Sequence, residues 1–133
     1  MYLEEVYLFT GNEQVIKKTK MDRILENVKS QDTDIIRYDL DTISIQDVIT
    51  DCMTIPFLKK SKVIIAKNPR FLTSGKSPIK HDVKPLIKYL QNPSNTTTLI
   101  IDAVGFNLDK NSEVYKNFQI SVFIFQFPQR SIS

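Results

Sequence analysis

The stretch Gly11-Asn12-Glu13-Gln14-Val15-Ile16-Lys17-Lys18 follows an apolar run and leads into a helical pattern, which is where a phosphate-binding loop would stand. Such a loop has the form G-x-x-x-x-G-K-[ST]. Its glycines let backbone N–H groups wrap the phosphates, its lysine supplies charge, and its hydroxyl holds magnesium. Gly11 and Lys17 fit this form. Ile16 stands where the second glycine belongs, and its branched Cβ opposes the positive φ such loops use. Lys18 replaces the hydroxyl residue, and Glu13 would put negative charge inside the cradle. These residues describe a degenerate loop that does not hold a nucleotide.

The other chemistry-bearing residues are equally isolated. Asp102, closing TTLIID, occupies the place of a magnesium-holding aspartate, but Ala103 follows it and a turn or cap role is the simpler reading. Glycine occurs only at 11, 75 and 105, so no G-x-G fingerprint of dinucleotide binding exists. One Cys52 and one His81 cannot build a zinc site. Cys52 falls in a helical pattern and reads as a small buried hydrophobe, and His81 reads as a helix N-terminal residue. The pairs Asp39/Asp41 and Glu4/Glu5 lie near strand ends, with nothing in the sequence to separate their pKa values. No catalytic residue, metal or cofactor is expected.

The elements that would carry these residues alternate strand and helix. EVYLFTG (4–10, then Gly11) reads as a strand, and the helix after it carries Met21, Ile24, Leu25 and Val28 at i, i+3, i+4 and i+7, with Asn12 as N-cap. DIIRYDL (34–40) is a second strand. SIQDVITDCM (44–53) is a second helix with Ser44 as N-cap and Asp47 three residues on. KVIIAKN (62–68), TTTLIIDA (96–103) and SVFIFQF (121–127) complete five strands. HDVKPLIKYLQN (81–92) is a helix that tolerates Pro85 only in its first turn. NLDKNSEVYKNFQ (107–119) is a short helix capped by Asp109 or Asn111. NPRFLTSGKSPIK (68–80) concentrates Pro, Gly and Ser and is expected to be a mobile loop. Alternation of this kind implies an α/β fold of three layers, with a five-stranded, mostly parallel sheet and helices on both faces.

At 133 residues the chain has the length of one domain. No apolar run approaches the roughly 18–20 residues that span a bilayer. MYLEEVYLFTG is acidic where a signal peptide would be basic, so a cytoplasmic protein is expected, without membrane contact. The sequence ends soon after its fifth strand at PQRSIS, which reads as the end of a domain cut from a longer protein. Charge is divided sharply: residues 59–88 hold 9 Lys/Arg against Asp82 alone, whereas residues 1–58 hold 6 against 11 acidic residues. The basic window is either a solvated face or a nucleic-acid surface using Lys67, Arg70 and Lys76, with Phe71 for stacking.

One apolar segment is unaccounted for. In MTIPFLKKSKVIIAKN (53–68) the helix stops at Pro56, Phe57 and Leu58 follow, and lysines come directly behind. The pair either plugs the domain's own core or is held out for a partner. Together with YLFTGNEQ, RYDLD and TTLIID, this T-I-P-F-L segment followed by a basic stretch and an apolar strand resembles the N-terminal domain of the delta subunit of bacterial DNA polymerase III, of the Gram-positive type. The resemblance covers essentially the whole chain. It implies a RecA-like core of the AAA+ class with a non-working phosphate loop at Gly11, Ile16, Lys17 and Lys18. It implies a non-catalytic clamp-loader subunit of the polymerase, itself a nucleotidyltransferase complex, that binds the beta sliding clamp and helps open its ring without binding ATP. The hydrophobic wedge of the family falls on Ile55, Pro56, Phe57 and Leu58, with Lys59, Lys60 and Lys62 steering it toward an acidic rim. Tau or gamma and delta-prime subunits are implied partners through the full-length protein, with DNA nearby in the assembled loader. Residues 1–133 would be the AAA+-like domain, without the lid and collar.

Overall fold

The computed structural model describes residues 5–29, 31–121 and 123–127. Residues 1–4 and the PQRSIS tail, both used in reading the sequence, lie outside the described residues. The elements are β1 (Val6–Gly11), α1 (Gln14–Lys29), β2 (Thr33–Asp39), α2 (Ile45–Met53), β3 (Ser61–Lys67), a 3-10 turn (Arg70–Leu72), α3 (Lys84–Gln91), β4 (Thr97–Asp102), α4 (Glu113–Ser121) and β5 (Phe123–Phe127). The strands form one parallel sheet in the order β2-β3-β4-β1-β5.

That order explains the layers. Three connections, β2 to β3, β3 to β4 and β4 to β5, advance across the sheet in one direction, and β1 to β2 runs the other way. Crossovers of one handedness therefore put α1 on one face and α2, α3 and α4 on the other. Alternation along β1 shows the two cores. Val6 and Leu8 point into the cluster holding Ile49 of α2, Leu86 of α3 and Phe118 of α4. Tyr7 and Phe9 point into a smaller cluster with Ile24, Leu25 and Val28 of α1. The helical spacing read from 21, 24, 25 and 28 thus marks the buried face of α1, with Met21 at its margin. Among the described residues no helix is long and apolar enough to cross a membrane.

Three local expectations need correction. The last helix begins at Glu113, not near 107, because Asn107–Ser112 is drawn into the neighbouring loop: Asp109 N–H donates to Leu72 carbonyl at 2.7 Å, and Leu108 bridges Thr73. Its first-turn acceptor is Ser112 Oγ, 3.2 Å from Tyr115 N, rather than Asp109 or Asn111. The segment 68–80 is anchored rather than free at its start. Leu72 is fully buried, and the Arg70 guanidinium grips Asp41 through two hydrogen bonds of 2.8 and 3.1 Å. Pro85 does sit in the first turn of α3. His81 precedes that helix and serves α2 instead: its Nδ1 accepts the Ile45 N–H at 3.0 Å.

Candidate functional site

The carboxyl ends of the strands, where a parallel sheet ordinarily holds ligands, are occupied by the protein's own charges. Gly11 and Gly105 take φ of 105° and 91°, which lets the loops after β1 and β4 meet through Gly105 N–H and the Gly11 carbonyl, 2.7 Å apart. Gln14 Nε2 donates to Val104 carbonyl across the same junction. Lys17 Nζ, the cation expected to meet phosphate, pairs with Asp102 Oδ2 at 2.9 Å, both side chains being largely buried. The other Asp102 oxygen accepts Val104 N–H, so this residue also performs the turn role read from sequence. Glu13 accepts the Val15 N–H at 3.0 Å, taking a helix-start donor that a phosphate would use. Lys18 pairs with Asp22 in solvent, and Ile16 is half exposed. A groove of about 600 Å³ beside α1 is lined by Lys17, Arg37 and Lys67 but also by Asp39 and Asp102. Among the described residues no His/Cys/Asp/Glu group could hold a metal ion. Cys52 is fully buried, and burial pushes its thiol up to about 12, which keeps it un-ionised and unreactive at neutral pH.

The opposite edge of the sheet carries the apolar segment. Ser44 Oγ accepts the Asp47 N–H at 3.2 Å and starts α2, whose buried face is Ile45, Val48, Ile49 and Cys52. Thr54 closes the helix by donating its N–H to Asp51 carbonyl. The chain then runs across the start of β3, where Lys60 and Ser61 N–H groups donate to Asp32 carbonyl. Between these fixed points the side chains turn outward. Ile55 is 80% exposed, Phe57 92% and Leu58 79%. Met53 extends the same patch, and Pro56 is half-buried at its base. Phe57 does not plug the core. A phenylalanine left almost wholly in water forgoes about 1.5–3 kcal/mol that burial would return.

The sequence model of the family described as "DNA polymerase III, delta subunit" matches residues 7–127. The chain belongs to the delta-subunit family of DNA polymerase III. It is 29% identical over 126 residues to the DNA polymerase III subunit delta of Bacillus subtilis, covering 91% of this chain and 36% of that protein. The solved structure of the Bacillus subtilis DNA clamp loader delta protein (YqeN) superposes with a TM-score of 0.79 at 27% identity, over 93% of this chain and 38% of that one. The chain therefore spans little more than a third of the length of these relatives.

For a delta-family chain, the structure sorts the sequence-derived residues into two places. Ile55, Pro56, Phe57 and Leu58 are contiguous on one edge, with Lys60 exposed beside them and Lys59 within 3.6 Å of Asp32. Gly11, Ile16, Lys17 and Lys18 lie at the other edge. Lys62 does not join the steering lysines: it is only 4% exposed and binds Asp51, so it cannot reach a partner's acidic rim. Parity along β3 carries the signal, because residues 62, 64 and 66 share one face and Ile64 and Ala66 face α2. The nucleic-acid reading of the basic window is not favoured: Lys67 and Lys76 are exposed, but other residues of the window are engaged within the domain. Lys62 is buried, Arg70 is engaged with Asp41 and lies over the Phe106 ring, and Phe71 packs on His81.

Proposed function

We propose that this domain is the clamp-docking domain of a clamp-loader delta subunit. It binds the ring-shaped beta sliding clamp through Ile55, Pro56, Phe57 and Leu58 and helps open the ring without binding ATP itself. The exposure of Phe57 carries this reading, joined to membership of the delta family. Pro56 restricts the backbone before the aromatic side chain, so little entropy is lost when the segment enters an apolar pocket. Lys60 lies exposed behind the wedge, placed to speed encounter with an acidic rim. The Lys17–Asp102 pair and Ile16 support a RecA-like core of the AAA+ class whose phosphate loop is degenerate. Residues 1–133 are read as one such domain. Tau or gamma and delta-prime subunits, and DNA in the assembled loader, are then partners of the longer family protein.

The test is a calorimetric titration of the chain with its cognate beta clamp. Phe57→Ala with Leu58→Ala removes two exposed side chains and leaves the thermal midpoint nearly unchanged, since surface truncations stay within about 0.5 kcal/mol. Affinity falls about 100-fold or more, because such anchors each carry about 2 kcal/mol. Undiminished affinity in the double variant refutes the docking role.

A further inference from the structure

At the end of α2, just before the exposed segment, lies a partly buried charged cluster. Lys62, the second residue of β3, sends its ammonium into the last turn of α2. There it donates to the Asp51 backbone carbonyl and to Asp51 Oδ1 at 2.7 Å. The second oxygen of Asp51 accepts the Tyr38 hydroxyl from β2. Thr97 of β4, itself buried, donates to the Cys52 carbonyl at 3.1 Å. Thr54 Oγ1 reaches back to the Thr50 carbonyl at 2.8 Å. The last four carbonyls of a helix have no partners within it, and here three of them are held by side chains, two of those from the sheet. Burial presses the Asp51 carboxyl toward neutrality, but the Lys62 and Tyr38 hydrogen bonds outweigh it and keep the carboxyl below its usual range.

We infer that Lys62 is the positioning residue of the docking wedge. Through Asp51 it fixes the last turn of α2, and so the direction in which Ile55–Leu58 leaves the domain. The inference rests on the docking reading for its effect on affinity. Two observations and one physical argument carry it. Lys62 is buried in the sheet yet bonded to the helix end, so it ties the two elements that bracket the wedge. The cluster ends one residue before Ile55, and among the described residues no hydrogen bond is made by Ile55, Phe57 or Leu58 that could orient them instead. Finally, an apolar side chain of similar shape fills a buried site without the desolvation cost of a charge. A lysine here gives direction: its ammonium satisfies a backbone carbonyl and a carboxylate together, which methionine cannot do.

Positioning and steering make opposite kinetic predictions. A steering lysine changes the association rate and its salt dependence, whereas a positioning residue changes the dissociation rate. The experiment compares the chain with Lys62→Met, Lys62→Arg and Tyr38→Phe, by surface plasmon resonance on immobilised beta clamp and by amide hydrogen exchange. Lys62→Met is expected to weaken binding about tenfold through faster dissociation, with the salt dependence of association unchanged. Exchange at the Thr54 amide rises, while the Ile64 and Ile100 amides stay protected. Lys62→Arg restores part of the affinity. If Lys62→Met does not fold, Tyr38→Phe, which removes one bond to Asp51, shows the same pattern at about threefold. Unchanged exchange at Thr54 in a folded variant overturns the inference, as does a loss confined to the association rate. The two readings fail separately. Full affinity in the Phe57/Leu58 double variant removes the docking role, and Thr54 exchange still decides whether Lys62 holds the helix end.

Discussion

Lys17 and Asp102 stand where a working nucleotide site would hold phosphate and magnesium, and here they bond to each other. A double-mutant cycle measures it. Lys17→Met removes the cation, Asp102→Asn removes the charge but keeps an oxygen for the Val104 N–H, and the third variant carries both. The atoms are 2.9 Å apart, with side chains 21% and 14% exposed. Two unit charges about 4 Å apart attract by about 4 kcal/mol at an effective dielectric near 20, and desolvation offsets part of that. A net coupling of about 2 kcal/mol remains, the usual worth of a hydrogen bond between charged groups. For 133 residues the unfolding entropy is about 280 cal/mol/K, so each single variant lowers the thermal midpoint by about 7 °C. The double variant loses about as much as either single one, because its second substitution has no partner left to orphan. Calorimetric melts of the four proteins give the coupling directly. Strictly additive losses would falsify the account, since they would mean that the two charges do not recognise each other. Neither single variant gains a thermal shift from magnesium–ATP, because Ile16 still occupies the glycine position.

Gly105→Ala is expected to destabilise by about 1–2 kcal/mol, since φ of 91° strains any L side chain and the new Cβ would sit 3.2 Å from Gln14 Nε2; a thermal melt checks it. Native Cys52 stays unmodified by a thiol reagent at pH 8 and reacts fully in denaturant, its thiol being buried and pushed up to about 12. His81 makes stability depend on pH: burial lowers its pKa, and its Nδ1 must stay unprotonated to accept the Ile45 N–H. Its contribution is therefore complete above the ordinary value of 6.5 and is lost as pH falls through the lowered one. His81→Asn, which offers an oxygen instead, flattens the pH profile of denaturant midpoints below pH 6.5.

The layered α/β pattern was legible because β1, β3, β4 and β5 are apolar runs separated by helical stretches. Ser44 with Asp47, Pro85, and the 21-24-25-28 stripe each identified an element through local chemistry. What stayed hidden came from contacts distant in sequence. Residues 107–112 were joined to the helix that follows, but the Asp109–Leu72 and Leu108–Thr73 contacts hold them in a loop. His81 looks like a residue of the helix after it, yet it caps a helix 36 positions earlier. The 53–58 stretch was legible as an apolar segment, and the direction of Phe57 was not, because a core plug and an exposed side chain fit the same residues. Lys62 was grouped with its basic neighbours because composition counts charges without regard to parity. The Lys17–Asp102 bond spans 85 positions, so both residues were identifiable in sequence while their pairing was not.

Helix α2, nine residues long, has His81 at one end and the exposed 55–58 segment just past the other. Seven residues of β3 run from one end of the strand to the other, about 23 Å of extended chain. Phe57 precedes the start of β3 and Asp102 pairs with Lys67 at its end, so the exposed apolar segment and the Lys17–Asp102 pair lie at opposite ends of the strands. Close-packed strands and helices compress little, so the distance between the two places is set by the number of residues in a strand.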